Sequence, residues 1–104
     1  MVIPRQGEIW WAEAEDKRRP VLVVTRSDAV PVLSRVVVAP VTRTVRTIPT
    51  EVAIGPENGL PDDGVASFDN LQPIHRGFLT TRAGRLDVDQ LHEICRALHA
   101  LADC

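Results

Sequence analysis

Several residue types and sequence features are scarce in this chain of 104 residues. It has no tyrosine, two phenylalanines, two tryptophans and two cysteines. No stretch approaches the roughly 18 consecutive apolar residues that a membrane-spanning helix requires. Near the start, Pro4 and Arg5 occupy positions where a secretion signal would need its apolar stretch. We therefore expect a cytoplasmic protein without a membrane segment.

The few potential metal ligands are poorly spaced for a metal centre. A C-terminal helix would hold Cys95 and Cys104 too far apart for a disulfide, so both are expected to be free thiols. The same helix would separate His92 from His99 by roughly 10 Å, too far to share a zinc ion. The chain also lacks a glycine-rich phosphate loop, a cysteine pair at metal spacing and a serine nucleophile elbow. No metal or cofactor is expected.

Length and composition indicate one globular domain spanning residues 1–104, with 44% apolar and 25% charged residues. The net charge of −2 conceals an asymmetry, because seven cations and one anion lie between Lys17 and Arg46. Eleven of the twelve cations are arginine, whose planar fork suits phosphate oxygens. This segment either faces a phosphodiester backbone or is an ordinary solvated surface, and its charge alone leaves both open.

Short runs rich in β-branched residues or with alternating polarity predict strands. The predicted strands are Glu8–Glu13, Pro20–Thr25, Arg35–Val41, Thr50–Ile54, Val65–Leu71 and, interrupted by Gly84, Phe78–Leu86. The second and third read as buried on both faces. Pro20 and Pro40 cannot donate to a ladder and are expected at strand starts, bulges or edges.

The C-terminal segment changes to helical periodicity, with Asp87 as N-cap and Gln90 completing a capping box. The expected apolar face comprises Val88, Leu91, Ile94, Cys95, Leu98, Leu101 and Ala102. Many short strands followed by one amphipathic helix indicate a mainly β fold, a small SH3-like antiparallel barrel with the helix packed outside.

Polar residues flank the two buried strands. Lys17-Arg18-Arg19-Pro20 leads into one, and Val41-Thr42-Arg43-Thr44 follows the next. Strand ends can converge, and Pro20 restricts the backbone beside Arg19, as a preorganised charge-stabilising group requires. The alternative is a solvated arginine before an edge-strand proline.

Four motifs together resemble a known family. They are Arg5–Ala12 (RQGEIWWA), Arg18–Val24 (RRPVLVV), Val36–Thr42 (VVVAPVT) and Gly64–Leu71 (GVASFDNL). With the closing helix, they make nearly the whole chain similar to the MazF/PemK-type toxins of bacterial type II toxin-antitoxin pairs. The resemblance implies a barrel shared with CcdB-type toxins and a homodimer.

It also implies metal-independent, sequence-selective cleavage of single-stranded RNA and neutralisation by a cognate MazE-like antitoxin. Our hypothesis is that the ribose 2′-OH attacks the phosphorus, giving 2′,3′-cyclic phosphate and 5′-OH ends. The alternatives are a CcdB-like toxin that binds gyrase and has no nuclease activity, or an inert RNA-binding barrel.

Matched residue by residue, the resemblance makes Arg19 and Thr42 the catalytic pair. A proposed base in one branch falls on Asp69, although that branch has arginine where this chain has Ser67. We expect Lys17, Arg18, Arg43 and Arg46 to contact RNA, and the loops Arg43–Pro49 and Glu57–Asp63 to read bases. Trp10 and Trp11 could stack on bases but are expected in the core or dimer interface. The five-residue loop Ala14–Arg18 is shorter than in many relatives.

Overall fold

The computed structural model describes residues 3–14 and 16–102. Within these ranges the chain forms seven strands and one α-helix. The strands are β1 (Glu8–Ala14), β2 (Lys17–Val23), β3 (Arg35–Thr42), β4 (Glu51–Ile54), β5 (Gly64–Ser67), β6 (Gln72–His75) and β7 (Leu79–Arg85), and the helix is α1 (His92–Ala102). Short 3-10 turns occupy Val30–Val32, Pro56–Asn58, Phe68–Asn70 and Arg76–Phe78.

The sheet is antiparallel, and its main path runs β4-β5-β3-β2-β1-β7. β3 is the central strand because it pairs with β6, then β2, then β5 along its length. A strand that changes partners in this way turns the sheet, which forms a half-barrel. α1 contacts β4 and the 3-10 turn at Phe68–Asn70. The predicted mainly β fold with a C-terminal helix is confirmed.

Two apolar clusters lie on opposite sides of β2 and β3. Leu22 and Phe68 belong to the larger cluster, which also receives Ile94 from the helix. Val21 and Val23 point the other way, into a cluster built around Trp10. Burial on both faces is therefore confirmed for β2. In β3 burial on both faces is only partial, because Val37 is exposed although Ala39 on the same face is buried.

The first hairpin is tighter than the sequence suggests. β1 and β2 stay paired as far as Ala14 and Lys17, so the five-residue loop expected at Ala14–Arg18 is wrong. Side-chain contacts accompany the extended ladder. Arg18 lies 4.2 Å from the ring centroid of Trp11 and forms a 3.8 Å ion pair with Glu13.

The strand expected at Val65–Leu71 ends early, at Ser67. The side chain of Phe68 is fully buried, and the chain turns there, with Asn70 Nδ2 donating to Ser67 Oγ at 2.9 Å. After the turn β6 forms, which the sequence did not indicate. β7 is instead continuous through Gly84, where any Cβ would overlap the carbonyl oxygen of Asn58.

The predicted capping box is present. The amide of Gln90 donates to Asp87 Oδ1 at 2.7 Å, and the amide of Asp87 donates to Gln90 Oε1 at 3.0 Å. The regular helix nevertheless begins later, at His92, and the expected apolar face is only partly correct. Ile94 and Ala97 are buried and Leu98 packs against the core. Val88, Leu91, Cys95, Leu101 and Ala102 are exposed.

No helix in the described part of the chain has the length and apolar character needed to cross a membrane. Cys95 is a free thiol, whereas Cys104 lies outside the described residues.

Asn58 connects the β4–β5 loop to the helix cap. Its side chain is buried, accepts from Gly55 N at 3.1 Å, and donates to Arg85 O at 3.0 Å and Gln90 Oε1 at 2.7 Å. Asn58→Ala is expected to lower the free energy of unfolding by about 2 kcal/mol, because buried partners lose their hydrogen bonds. Urea denaturation measures this loss. An exposed control, Asp89→Ala, should keep the wild-type midpoint, and an equally unchanged midpoint for Asn58→Ala would contradict the assignment.

Candidate functional site

Two prolines interrupt the ladder between β2 and β3. The strands pair over only three residues each, ending at Val21 opposite Pro40. Neither Pro20 nor Pro40 has an N–H to continue the ladder. Extending the same register by two residues places Arg19 across from Thr42, where β3 has already turned toward β5. Both prolines lie within strands rather than at strand starts. The β2–β3 ladder ends beside them, so they mark a local edge, one of the positions predicted.

A cavity of about 1030 Å³ opens where these strands separate. Three segments complete its wall: the loop after β3, the loop before β5 and the 3-10 turn after β5. The predicted site residues that line it are Arg19, Thr42, Arg43, Arg46 and Asp69, joined by Ser67. Parts of both loops expected to read bases therefore face one cavity.

The guanidinium group of Arg19 is exposed in this wall. Across the described residues it has neither an ion pair nor a hydrogen bond. Its neighbour Arg18 differs, because its side chain is stacked on Trp11 and paired with Glu13. Arg19 is thus the cation of β2 whose donors remain available to a ligand in the cavity.

The hydroxyl group of Thr42 is held in place by the chain itself. Its Oγ1 accepts a hydrogen bond from the backbone N–H of Thr44 at 3.1 Å. This local bond, common for threonine at the end of an element, orients the half-buried side chain. Because the oxygen accepts, the hydroxyl proton remains able to donate to an oxygen of a bound ligand.

Asp69 reaches the cavity from a different element than predicted. It lies in the 3-10 turn Phe68–Asn70 rather than in a strand. Its Oδ2 accepts a 2.6 Å hydrogen bond from the hydroxyl of Thr50. Ser67, which stands where the related branch has arginine, is buried and accepts from Asn70. Asp69 therefore has a hydroxyl partner and no adjacent arginine at position 67.

The four predicted RNA-contacting cations divide into two pairs. Arg43 and Arg46 line the cavity, and Arg43 forms a 3.5 Å ion pair with Asp62 of the opposite loop. Lys17 and Arg18 lie outside the lining, in the first hairpin.

The two tryptophans have different environments. Trp10 is buried, and its Nε1 donates to Glu8 at 3.1 Å, so the prediction of a core residue is confirmed. Trp11 is half-buried and lines the cavity, with Arg18 over its ring. His92 and His99 are both exposed on α1. Among residues 3–14 and 16–102, no group of three or more His, Cys, Asp or Glu side chains could hold a metal ion.

Sequence reasoning missed Thr50, Glu51 and Arg96. Their contacts join the loop after β3 to Asp69 and to α1. Glu51 is read in the sequence only as part of an alternating strand, and nothing local signals that its side chain is buried. These contacts span up to 47 residues, so local patterns carry no sign of them.

The fold and cavity define a class of protein: a small β half-barrel whose separated strand ends form a groove lined by arginine, threonine and aspartate. Comparison with known proteins identifies one family. The family model of the PemK-like, MazF-like toxins of type II toxin-antitoxin systems matches residues 5–102. The chain belongs to this family.

Curated relatives from Mycobacterium tuberculosis support the assignment. The probable endoribonuclease MazF5 is 38% identical over 104 residues, covering 98% of this chain and 95% of the relative. The probable endoribonuclease MazF2 is 39% identical over 101 residues, covering 96% and 99%. These names confirm the predicted class of enzyme, an endoribonuclease, and favour it over the gyrase-binding toxin and the inert RNA-binding barrel.

Solved structures agree. The M. tuberculosis toxin MazF-mt6 superposes with a TM-score of 0.86 at 40% identity, covering 92% of this chain and 96% of that one. A mycobacterial endoribonuclease in complex with its cognate antitoxin superposes with a TM-score of 0.81 at 29% identity, covering 94% of each chain. The fold predicted from the resemblance is therefore confirmed.

Proposed function

We propose that this toxin cleaves single-stranded RNA at specific sequences and without a metal ion, with Arg19 and Thr42 as its catalytic residues. The observation that carries the proposal is that one cavity contains a guanidinium group without a partner among the described residues and an oriented hydroxyl. Such preorganised donors stabilise charge that develops in a transition state. We propose that residues 1–104 form a single domain and that the protein acts in the cytoplasm.

The nucleophile is supplied by the substrate. In RNA the ribose 2′-OH lies beside the scissile phosphorus, so a bound conformation that aligns it makes the attack intramolecular. Arg19 donates hydrogen bonds to the phosphorane-like transition state, whose charge exceeds that of the ground state. Thr42 donates to a phosphate oxygen and orients the group. The bond between phosphorus and the 5′-oxygen breaks and the 5′-oxygen takes up a proton from solvent, giving a 2′,3′-cyclic phosphate and a 5′-OH.

The candidate base for the 2′-OH proton is Asp69. Asp69 lines the cavity, but its carboxylate already accepts from Thr50 and has no arginine at position 67 beside it. We retain Asp69 as the candidate base because it is a carboxylate within the same wall. Asp69→Asn, which preserves size and an acceptor oxygen, tests this role through the pH dependence of cleavage.

Sequence selectivity is proposed to come from the loops at residues 43–49 and 57–63. Arg43 and Asp62 connect them across the cavity, and both side chains are well exposed. An exposed pair of this kind is weak, so a bound nucleotide can replace it. Arg46 adds a cation for the RNA backbone, with Lys17 and Arg18 extending the basic surface along the first hairpin.

The same groove is proposed to bind an extended segment of a cognate MazE-like antitoxin. The support is the related mycobacterial endoribonuclease described in complex with its cognate antitoxin. Carboxylates on such a segment would pair with the Arg19 guanidinium, which has no protein partner within the described residues. Two copies of the toxin are proposed to associate as a homodimer.

The proposed function is tested by incubating purified protein with long single-stranded RNA in excess EDTA. We expect discrete fragments, and little cutting of the same sequence when it is annealed to its complement. Random degradation, or cutting that stops when EDTA is added, would contradict the proposal. A gyrase supercoiling assay run with the same protein should show no inhibition.

Thr42→Val is expected to slow cleavage by about 10²-fold, as loss of one preorganised donor typically does. Valine keeps the shape of the half-buried side chain and removes only the hydroxyl. Single-turnover rates at saturating protein measure the effect. Thr42→Ser, which retains the hydroxyl, should recover most of the rate. Equal rates for the valine variant and the wild type would exclude this role.

A further inference from the structure

The loop between β3 and β4, residues 43–50, forms one wall of the cavity without regular secondary structure. Hydrogen bonds along its length nevertheless hold it. At its start, the amide of Thr44 donates to Thr42 Oγ1. At its end, Arg96 of α1 donates to two backbone carbonyl groups, at 2.6 and 2.9 Å, and Thr50 donates to Asp69. A further anchor is the side chain of Glu51.

Glu51 holds the middle of this loop through two consecutive amides. Its Oε1 accepts from Arg46 N at 3.0 Å and from Thr47 N at 2.9 Å, and its Oε2 accepts from Arg46 N at 3.2 Å. Both N–H groups point at the same carboxylate, and Thr47 itself has a φ of 57°. Successive backbone N–H groups in a turn of this kind form an anion-binding concavity, and here the anion is the protein's own carboxylate.

This arrangement includes two energetically unfavourable features. The Glu51 residue is only 7% exposed, and burying a carboxylate is unfavourable unless hydrogen bonds compensate. A threonine in left-handed backbone adds strain. Within the described residues, the hydrogen bonds of the carboxylate go only to loop amides. What the carboxylate determines is therefore the shape of the cavity wall.

The loop shape determines where Arg46 meets a ligand. Arg46 lines the cavity, and its own amide is one of the two that Glu51 holds. Thr42 is oriented separately, by its local bond from Thr44, which does not involve Glu51. We propose that Glu51 is a positioning residue for RNA binding, which fixes residues 43–50 in the conformation that receives the substrate. This inference rests on the proposed function.

The kinetic test compares Glu51→Ala with Glu51→Gln. Alanine removes both acceptors, and we expect KM for a short single-stranded RNA to rise about tenfold while kcat changes less than about threefold. Glutamine retains one acceptor oxygen, so both constants should stay within about threefold of wild type. Asp28→Ala removes an exposed acidic residue outside the cavity and serves as the charge-matched control.

Three kinetic results would overturn the inference: an unchanged KM for folded Glu51→Ala, a fall in kcat alone, or a glutamine variant as defective as alanine. A purely structural role would lower thermal stability without this separation of KM from kcat. If Glu51→Ala does not fold, Glu51→Asp retracts the carboxylate by one methylene and is expected to raise KM in the same way.

Amide hydrogen exchange tests the anchor without RNA. In Glu51→Ala, the amides of Arg46 and Thr47 should exchange at least about tenfold faster than in wild type, while the amides of the core strands keep their protection. Unchanged exchange at these two amides would overturn the positioning role whatever the activity. Failure of wild-type protein to cut RNA would instead refute the proposed function. The exchange result would still show whether Glu51 holds the loop amides.

Discussion

Replacing Arg19 by alanine is expected to slow RNA cleavage by about 10²- to 10³-fold. The guanidinium lies in the cavity wall and has no protein partner within the described residues, so its donors are available to the transition state. Its main effect should be on the chemical step, because charge on the phosphoryl oxygens grows as the 2′-oxygen attacks. Single-turnover cleavage with protein in excess over RNA measures that step.

The matched control is Arg26→Ala, which removes the same charge from an exposed ion pair outside the cavity. It should cut RNA at close to the wild-type rate. Arg19→Lys should recover only part of the lost rate, because lysine supplies charge without the planar fork. An Arg19→Ala protein that retains more than half of wild-type activity would refute the role of Arg19.

The second large effect is expected from the substrate. Replacing the single 2′-OH at the cleavage site by hydrogen should reduce cutting there by more than about 10³-fold, because the intramolecular nucleophile is gone. Binding should change little, since the phosphates and bases remain. Fluorescence anisotropy measures binding, and gel analysis of the modified and unmodified RNA measures cleavage. Cutting at the modified site at an undiminished rate would require a different nucleophile.

Local sequence signals predicted the elements that carry Arg19 and Thr42. The β-branched runs determine β2 and β3, and the two prolines mark where their ladder must stop. The capping box of Asp87 and Gln90 could also be predicted from the sequence, because both partners lie within one turn. Each of these signals acts over a few residues, which is why pattern and propensity were sufficient.

Features set by tertiary contacts were not predictable in this way. The turn at Phe68–Asn70 forms because the core accepts the aromatic ring, although its surroundings alternate like a strand. Asp69 gains its partner Thr50 from 19 residues away. Glu51 is contacted by the loop just before it and also by Arg96 of the helix, which lies 45 residues further along the chain. None of these contacts has a local sequence signature.

The resemblance to the toxin family and the residue-level argument support one another at different points. The family assignment concerns the class of protein and its fold. The proposed roles of Arg19, Thr42 and Asp69 are argued from the cavity of this chain, which all three line with different partners. Variants at these positions therefore test the chemistry separately from the family assignment.

The central claim is intramolecular attack by the 2′-OH without a metal ion, and the ends of the first products test it most directly. Wild-type protein in excess EDTA should be sampled early in the reaction and the fragments weighed by mass spectrometry. The account predicts 2′,3′-cyclic phosphate on the upstream fragment and 5′-OH on the downstream one. Fragments bearing 5′-phosphate and 3′-OH, or no fragments until a divalent cation is restored, would contradict it.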